Sequence, residues 1–170
     1  MSKVGDFFFV RKHHVCPRWL CFTFDNWIRR RLQNPDQIIK PYVRKGDTVL
    51  DVGAGIGFFT IPMARLVGDG GRVIGVDIQD KMLAAISKRA LSAGVANRIT
   101  TQLASPVSLN VAAPADFILA FWMAHEVPDQ GKFFTQLHHA LKDNGKFLLA
   151  EPKLHVSKAQ FDAAVGVVQK

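Results

Sequence analysis

Cysteine is scarce in this chain of 170 residues: only Cys16 and Cys21 are present, five apart. Two thiols at that spacing do not make a disulfide framework. No C-x-x-C or H-x-x-x-H pair offers a local metal site, and none is expected. His14, Cys16, His125 and His155 could converge only if the start of the chain folded over the rest. Long apolar runs are absent too, and nothing approaches the ~18 residues of a membrane span. The apolar patch in MSKVGDFFFVRKHH is too short for the core of a signal peptide. A reduced, cytoplasmic setting without a membrane partner is therefore expected. Repeats and low-complexity segments are lacking. Acids are outnumbered, 14 against 22 Lys and Arg, which leaves a net charge of +8. The excess is concentrated in residues 1–48, with ten bases against four acids, including Arg29, Arg30 and Arg31. A basic patch can meet nucleic acid or an anionic substrate, but a solvated helix face serves equally.

What is present is VLDVGAGIGFF, from Val49 to Phe59. An apolar run ends in Asp51, glycines follow at 53, 55 and 57, and a helical pattern comes next. A strand feeding a helix through such a turn offers backbone N–H groups and room for a ligand to touch the main chain. The dinucleotide spacing G-x-G-x-x-G/A fails from Gly53, where Phe58 takes the last place, and from Gly55, where Thr60 does. No Gly-Lys-Ser/Thr follows, so a Walker phosphate loop is excluded.

The rest of the chain alternates strand and helix patterns, as a parallel α/β sheet requires. Strands are expected at 48–51, 72–77, 99–103, 116–121 and 146–150. A helix is expected from Gly57 to Val67, ended by Gly68. Asp80 reads as the N-cap of a helix whose Met82, Leu83, Ile86 and Ala90 share a face, ending near Gly94. Phe133, Phe134, Leu137 and Leu141 form another stripe, stopped by Asn144-Gly145. Ser157 caps a last helix reaching Val168. Right-handed crossovers with a switch point beside the first strand give an open, doubly wound, Rossmann-like sheet of order 3-2-1-4-5. At 170 residues one such domain buries roughly 70% of its unfolded surface.

The D-x-G-x-G-x-G run, the GRVIGVDIQ strand ending in Asp77 and the later ADFILAFWMAHEVPD segment resemble the class I methyltransferases that use S-adenosylmethionine, in particular their type 11-like members. The resemblance spans about Asp36 to Phe161. It implies a glycine turn of Gly53, Gly55 and Gly57 against the methionine part of the cofactor. It implies that Asp51 orients the methionine amino group and Asp77 holds the ribose hydroxyls. Ile78 and Met82 would flank the adenine, and Phe121 would complete the pocket. Many members carry an acid after the third strand for the adenine amino group. Here the run is QLASP, which leaves that task to backbone or Ser105. The family normally adds two further strands, which this chain does not reach, so the fifth strand is expected at an edge that a partner chain or a homodimer could cover. Residues 1–34 are expected to form a lid over the cofactor cleft, and 35–170 the methyltransferase domain.

Methyl transfer from a sulfonium needs alignment and exclusion of water, with a base only where the acceptor must lose a proton. The acceptor site should lie over the carboxyl ends of the fourth and fifth strands. His125 with Glu126 is the base candidate there, and Glu151 ends the fifth strand where polar groups point into a cleft. His138 and His139 sit mid-helix, among packing or solvent neighbours. The Asn/Asp-Pro-Pro-aromatic run of enzymes that methylate nucleic-acid bases is missing from FWMAHE. A small-molecule acceptor is therefore expected. RNA methylation, or a cofactor-binding partner subunit without turnover, stands as the alternative.

Overall fold

The structure is a computed structural model, and it describes residues 33–111, 114–153 and 156–168. The expected lid, with His14 and Cys16, and His155 lie outside the described residues. The first element is a short helix, α1 (Pro35–Ile39). Asn34 caps it, its side chain accepting from the N–H groups of Asp36 and Gln37, and Pro35 fills a position where a missing N–H costs nothing.

Five strands follow: β1 (Thr48–Val52), β2 (Arg72–Asp77), β3 (Ile99–Leu103), β4 (Ala115–Phe121) and β5 (Leu141–Ala150). They pair in the order β3-β2-β1-β4-β5, all parallel, as the sequence predicts. The helices between and after them are α2 (Thr60–Val67), α3 (Asp80–Ser92), α4 (Gln130–Ala140) and α5 (Lys158–Val168). Strand residues alternate between two cores. Val49, Val73, Phe117 and Leu119 pack with Ile39, Met63, Val67 and Ala90 on one face. Leu50, Ile74, Val76 and Ile118 pack with Phe133, Phe134, Leu137 and Ala164 on the other. β1 and β4 are therefore apolar on both faces, as central parallel strands must be. Among the described residues β5 is an edge strand.

Four local expectations need correction. α2 starts at Thr60, not Gly57, because Gly57 has φ +84 and belongs to the turn. Gln79 rather than Asp80 occupies the N-cap position of α3, and Asp80 is its first helical residue. α4 ends at Ala140, so Leu141 does not extend its apolar stripe, and Asn144-Gly145 does not stop a helix. Those two residues lie instead in a bulge of β5, where Leu141 pairs with Ala115 and Lys146 with Phe117. Lys142 bonds both oxygens of Asp116 at 2.8 Å, and the same carboxylate accepts from the Thr48 N–H, so β1, β4 and β5 are tied together at their amino ends. Ser157 does cap α5, its hydroxyl and the Gln160 side chain bonding reciprocally as a capping box.

A Cβ at Gly145 would lie 2.7 Å from Leu141 Cδ1 and 3.0 Å from the Ala115 carbonyl oxygen. Gly145→Ala is therefore expected to destabilise the fold by roughly 1–3 kcal/mol, the usual cost of overpacking. Urea unfolding checks this, with an unchanged midpoint as the contrary result.

Candidate cofactor and acceptor site

The glycine turn leaves β1 with Gly53 and Ala54 both donating to the Val76 carbonyl of β2, at 2.9 and 3.0 Å. Gly53, Gly55 and Gly57 all have positive φ, at +71, +54 and +84. Their surroundings separate their roles. A Cβ on Gly53 would meet Met123 at 2.7 Å, and one on Gly57 would meet Ile86 at 3.3 Å. These two glycines admit neighbouring side chains. Among the described residues a Cβ on Gly55 would meet nothing within 4 Å, so the main chain at Gly55 is open on that side. That is the one glycine of the three positioned for a ligand to approach.

Asp77 stands beside it at the end of β2. One carboxylate oxygen accepts from the Gly55 N–H at 2.9 Å and the other from the Gln79 N–H at 2.9 Å. A carboxylate has about four lone-pair sites, so two such bonds leave capacity for hydroxyl donors. Burial pushes its pKa up, against the backbone bonds that lower it. Asp51, only 3% exposed, accepts from the Thr60 hydroxyl at 2.6 Å. Burial raises its pKa to about 6, with Asp77 adding like-charge repulsion. Two carboxylates with raised pKa values at one glycine turn fit a ligand that brings positive charge and hydroxyls.

The adenine side is less as expected. Ile78 is 42% exposed and offers an apolar surface just after Asp77. Met82 is 2% exposed and belongs to the buried face of α3. Ser105 closes a small turn, its hydroxyl accepting from the Ser108 N–H at 3.0 Å while the two backbones pair. An adenine would reach that hydroxyl only in competition with the turn.

At the carboxyl ends of β4 and β5 the structure brings together His125 and Glu151. The His125 N–H donates to Glu151 Oε1 at 2.9 Å, and His125 Nδ1 lies 2.6 Å from Glu151 Oε2. The hydrogen bond to Glu151 raises the His125 pKa, and Glu126, half-buried in the same 3-10 turn (Ala124–Glu126), adds to it. Phe121 packs on Phe59 with centroids 4.6 Å apart and on Trp122 at 5.4 Å. Trp122, just after β4, sits at φ +61, a costly conformation for a bulky residue, and its N–H donates to the Ala150 carbonyl. This sharp turn after β4 precedes the 3-10 turn that carries His125. Thr60 and Gln79, the partners of Asp51 and Asp77, were not singled out, although a Thr opening a helix after a glycine turn is a readable signal.

A groove of about 480 Å³ opens at the opposite, amino-terminal end of the sheet, lined by Tyr42, Arg44, Asp116, Lys142 and Lys146. Its charges serve the fold: Asp116 holds Lys142 and Thr48, and Arg44 donates to the carbonyls of Lys40 and Val43. Among the described residues no cluster of His, Cys, Asp or Glu is arranged to hold a metal ion, and no helix is long and apolar enough to cross a membrane.

Residues 43–168 match the sequence family described as the methyltransferase domain. The chain belongs to that family. The ubiquinone/menaquinone biosynthesis C-methyltransferase UbiE of Enterobacter sp. (strain 638) is 33% identical over 110 residues, 64% of this chain and 44% of the relative. The demethylmenaquinone methyltransferase of Symbiobacterium thermophilum is 30% identical over 115 residues, 67% of this chain and 46% of its own length. The chain thus spans slightly under half the length of these curated relatives. In fold it is similar to an S-adenosylmethionine-dependent methyltransferase from Aquifex aeolicus, with a TM-score of 0.72 and 24% identity over 79% of this chain and 72% of that one. S-adenosylmethionine is the cofactor of this family.

Proposed function

We propose that this protein transfers a methyl group from S-adenosylmethionine to a small-molecule acceptor. The observation that carries this is the pairing of Gly55 with Asp77: an open main-chain face next to a buried carboxylate, both at the carboxyl edge of the sheet. Ligands of open α/β sheets bind at that edge, beside the switch point between β1 and its neighbours. In this reading Asp77 accepts from the ribose hydroxyls, Asp51 meets the amino group directly or through water, Gly55 gives the close approach, and Ile78 and Phe121 cover apolar parts. The cofactor supplies an electrophilic methyl on a sulfonium. The residues' task is to orient the two reactants and exclude water. A small-molecule partner agrees with the printed activities of the relatives, and a cytoplasmic setting belongs to the same reading.

Asp77→Ala is expected to weaken S-adenosylhomocysteine binding by tens-fold, since hydrogen bonds to a charged group contribute about 1.5–3 kcal/mol. Asp77→Asn, which keeps one acceptor for the turn, should lose less. Calorimetry measures both, and unchanged affinity would remove Asp77 from the site. Turnover on a panel of small acceptors supports an enzyme. Salt-sensitive RNA affinity with RNA methylation, or cofactor binding with no turnover on any acceptor, would replace that reading.

A further inference from the structure

The carboxyl edge of the sheet runs from the glycine turn after β1, through Asp77 at the end of β2, to Leu103, the register partner of Asp77 at the end of β3. A nucleoside whose ribose hydroxyls meet Asp77 and whose amino-acid end lies at Gly55 therefore carries its base towards the segment after β3. That segment, residues 103–110, spends its polar groups on itself and on its neighbours. The Ala104 N–H donates to the Asp77 carbonyl at 3.0 Å and the Ser105 N–H to the Ser108 carbonyl at 2.8 Å. Pro106 has no N–H to give. The N–H groups of Val107 and Ser108 both donate to the Ser105 hydroxyl oxygen, at 3.4 and 3.0 Å, and that hydroxyl donates to the Ser108 carbonyl at 3.4 Å. The Leu109 N–H goes to the Gln136 side chain of α4 and the Asn110 N–H to the Ser108 hydroxyl. The backbone N–H groups and the Ser105 hydroxyl, to which the missing acid leaves the base, are thus engaged elsewhere. What the segment turns outward is aliphatic. Val107 is 79% exposed and Leu103 43%, with Ile78, just after Asp77, exposed as well.

We propose that the base of the cofactor is held here by shape and by apolar contact with Ile78, Leu103 and Val107, and that the protein does not distinguish adenine from purines altered at N1 and C6. This rests on the methyltransferase reading above. A site that pairs with a substrate's polar edge rejects an altered edge strongly, because its own buried groups are left unpaired; an apolar surface has no such penalty to impose. Hypoxanthine is the sharpest comparison. It replaces the 6-amino donor of adenine by a carbonyl acceptor and the N1 acceptor by an N–H donor, with nearly the same outline. A carboxylate would tell the two apart, accepting from the amino group and repelling the carbonyl, but the chain has no acid from Ile99 to Val111. A main-chain carbonyl such as that of Pro106 takes a donor from either base. A side-chain amide such as that of Gln79 offers donor and acceptor alike and suits either base too.

The test is calorimetry on the whole chain with S-adenosylhomocysteine, S-inosylhomocysteine and the purine analogue that carries hydrogen at C6. Both analogues are expected to bind within about fivefold of S-adenosylhomocysteine, as an unread edge requires. The double variant Ile78→Ser/Val107→Ser should weaken all three ligands by one common factor of about fivefold or more, through lost apolar contact. Thermal unfolding checks that this variant keeps its fold, and the comparison of the three ligands on the wild type needs no variant at all. A loss of more than about fivefold for either analogue while S-adenosylhomocysteine binds would overturn the proposal. So would a folded double variant that binds all three like the wild type or weakens them unequally. Failure of S-adenosylhomocysteine itself to bind would overturn the parent reading, and this one with it.

Discussion

Gly55→Val should abolish cofactor binding, a loss of ~100-fold or more in affinity, roughly 3 kcal/mol, while the protein stays folded. The backbone at Gly55 has φ +54, so a β-branched residue there is strained by about 1–2 kcal/mol or somewhat more. Among the described residues no atom lies within 4 Å of the added Cβ, so the described fold meets no collision. What the valine would fill is the space that a ligand needs. Gly57→Val gives the contrast. Its Cβ would sit 3.3 Å from Ile86 and 3.6 Å from Thr60 and Ile61, between α2 and α3, at φ +84. That variant should lose stability first and affinity only as a consequence. Thermal unfolding and calorimetry on both variants separate the two effects. A folded Gly55→Val protein that binds S-adenosylhomocysteine normally would show that the turn serves only packing.

The sheet was legible because its strands carry the information locally. VLDV, RVIGVD and ADFILAF are apolar on successive residues, which only a doubly covered parallel strand requires, and their order fixes the crossovers. Boundaries were less legible where one residue type has two uses. Asn-Gly commonly ends helices, yet at Asn144-Gly145 it makes room for a bulge that lets Lys142 reach Asp116. Gly57 precedes an apolar helix but is held out of it by a positive φ that no sequence pattern displays. The site was half legible for a similar reason. Asp77 could be located from the end of its strand. Whether Met82 faces a ligand or the core depends on the rotation of α3 against β2, which the shared apolar face leaves open. The pairing of His125 with Glu151 joins two loops through tertiary geometry alone, and the left-handed turn at Trp122 has no glycine to announce it.

Asp51→Asn should stabilise the protein without cofactor and weaken cofactor binding, both through one charge. The Asp51 carboxyl titrates at about 6 in the fold against 3.8 for the ordinary side chain, chiefly because burial disfavours the anion. Between those values the folded state holds a proton that the unfolded chain has released. Stability therefore falls as pH rises from about 4 to 6 and stays reduced above it. The cost at pH 7 is about 3 kcal/mol, taken from the shift at about 1.4 kcal/mol per unit. Asparagine keeps an acceptor for the Thr60 hydroxyl and removes the buried charge, though its amide N–H groups need partners. A net gain of roughly 1–3 kcal/mol at pH 7 is expected, shrinking towards pH 4, where the wild-type carboxyl is itself neutral. An ammonium group brought by the cofactor would offset the same charge. Wild-type affinity for S-adenosylhomocysteine should then fall as pH drops below 6, approaching tenfold per pH unit, with proton release on binding. In Asp51→Asn both the affinity at neutral pH and this pH dependence should be lost. Denaturant titrations at pH 4 and 7, with calorimetry in buffers of different ionisation enthalpy, measure the two halves. Equal stability of the two proteins at pH 7 would contradict the buried charge. A pH-independent wild-type affinity would remove Asp51 from contact with the amino group and leave it as a partner of Thr60 alone.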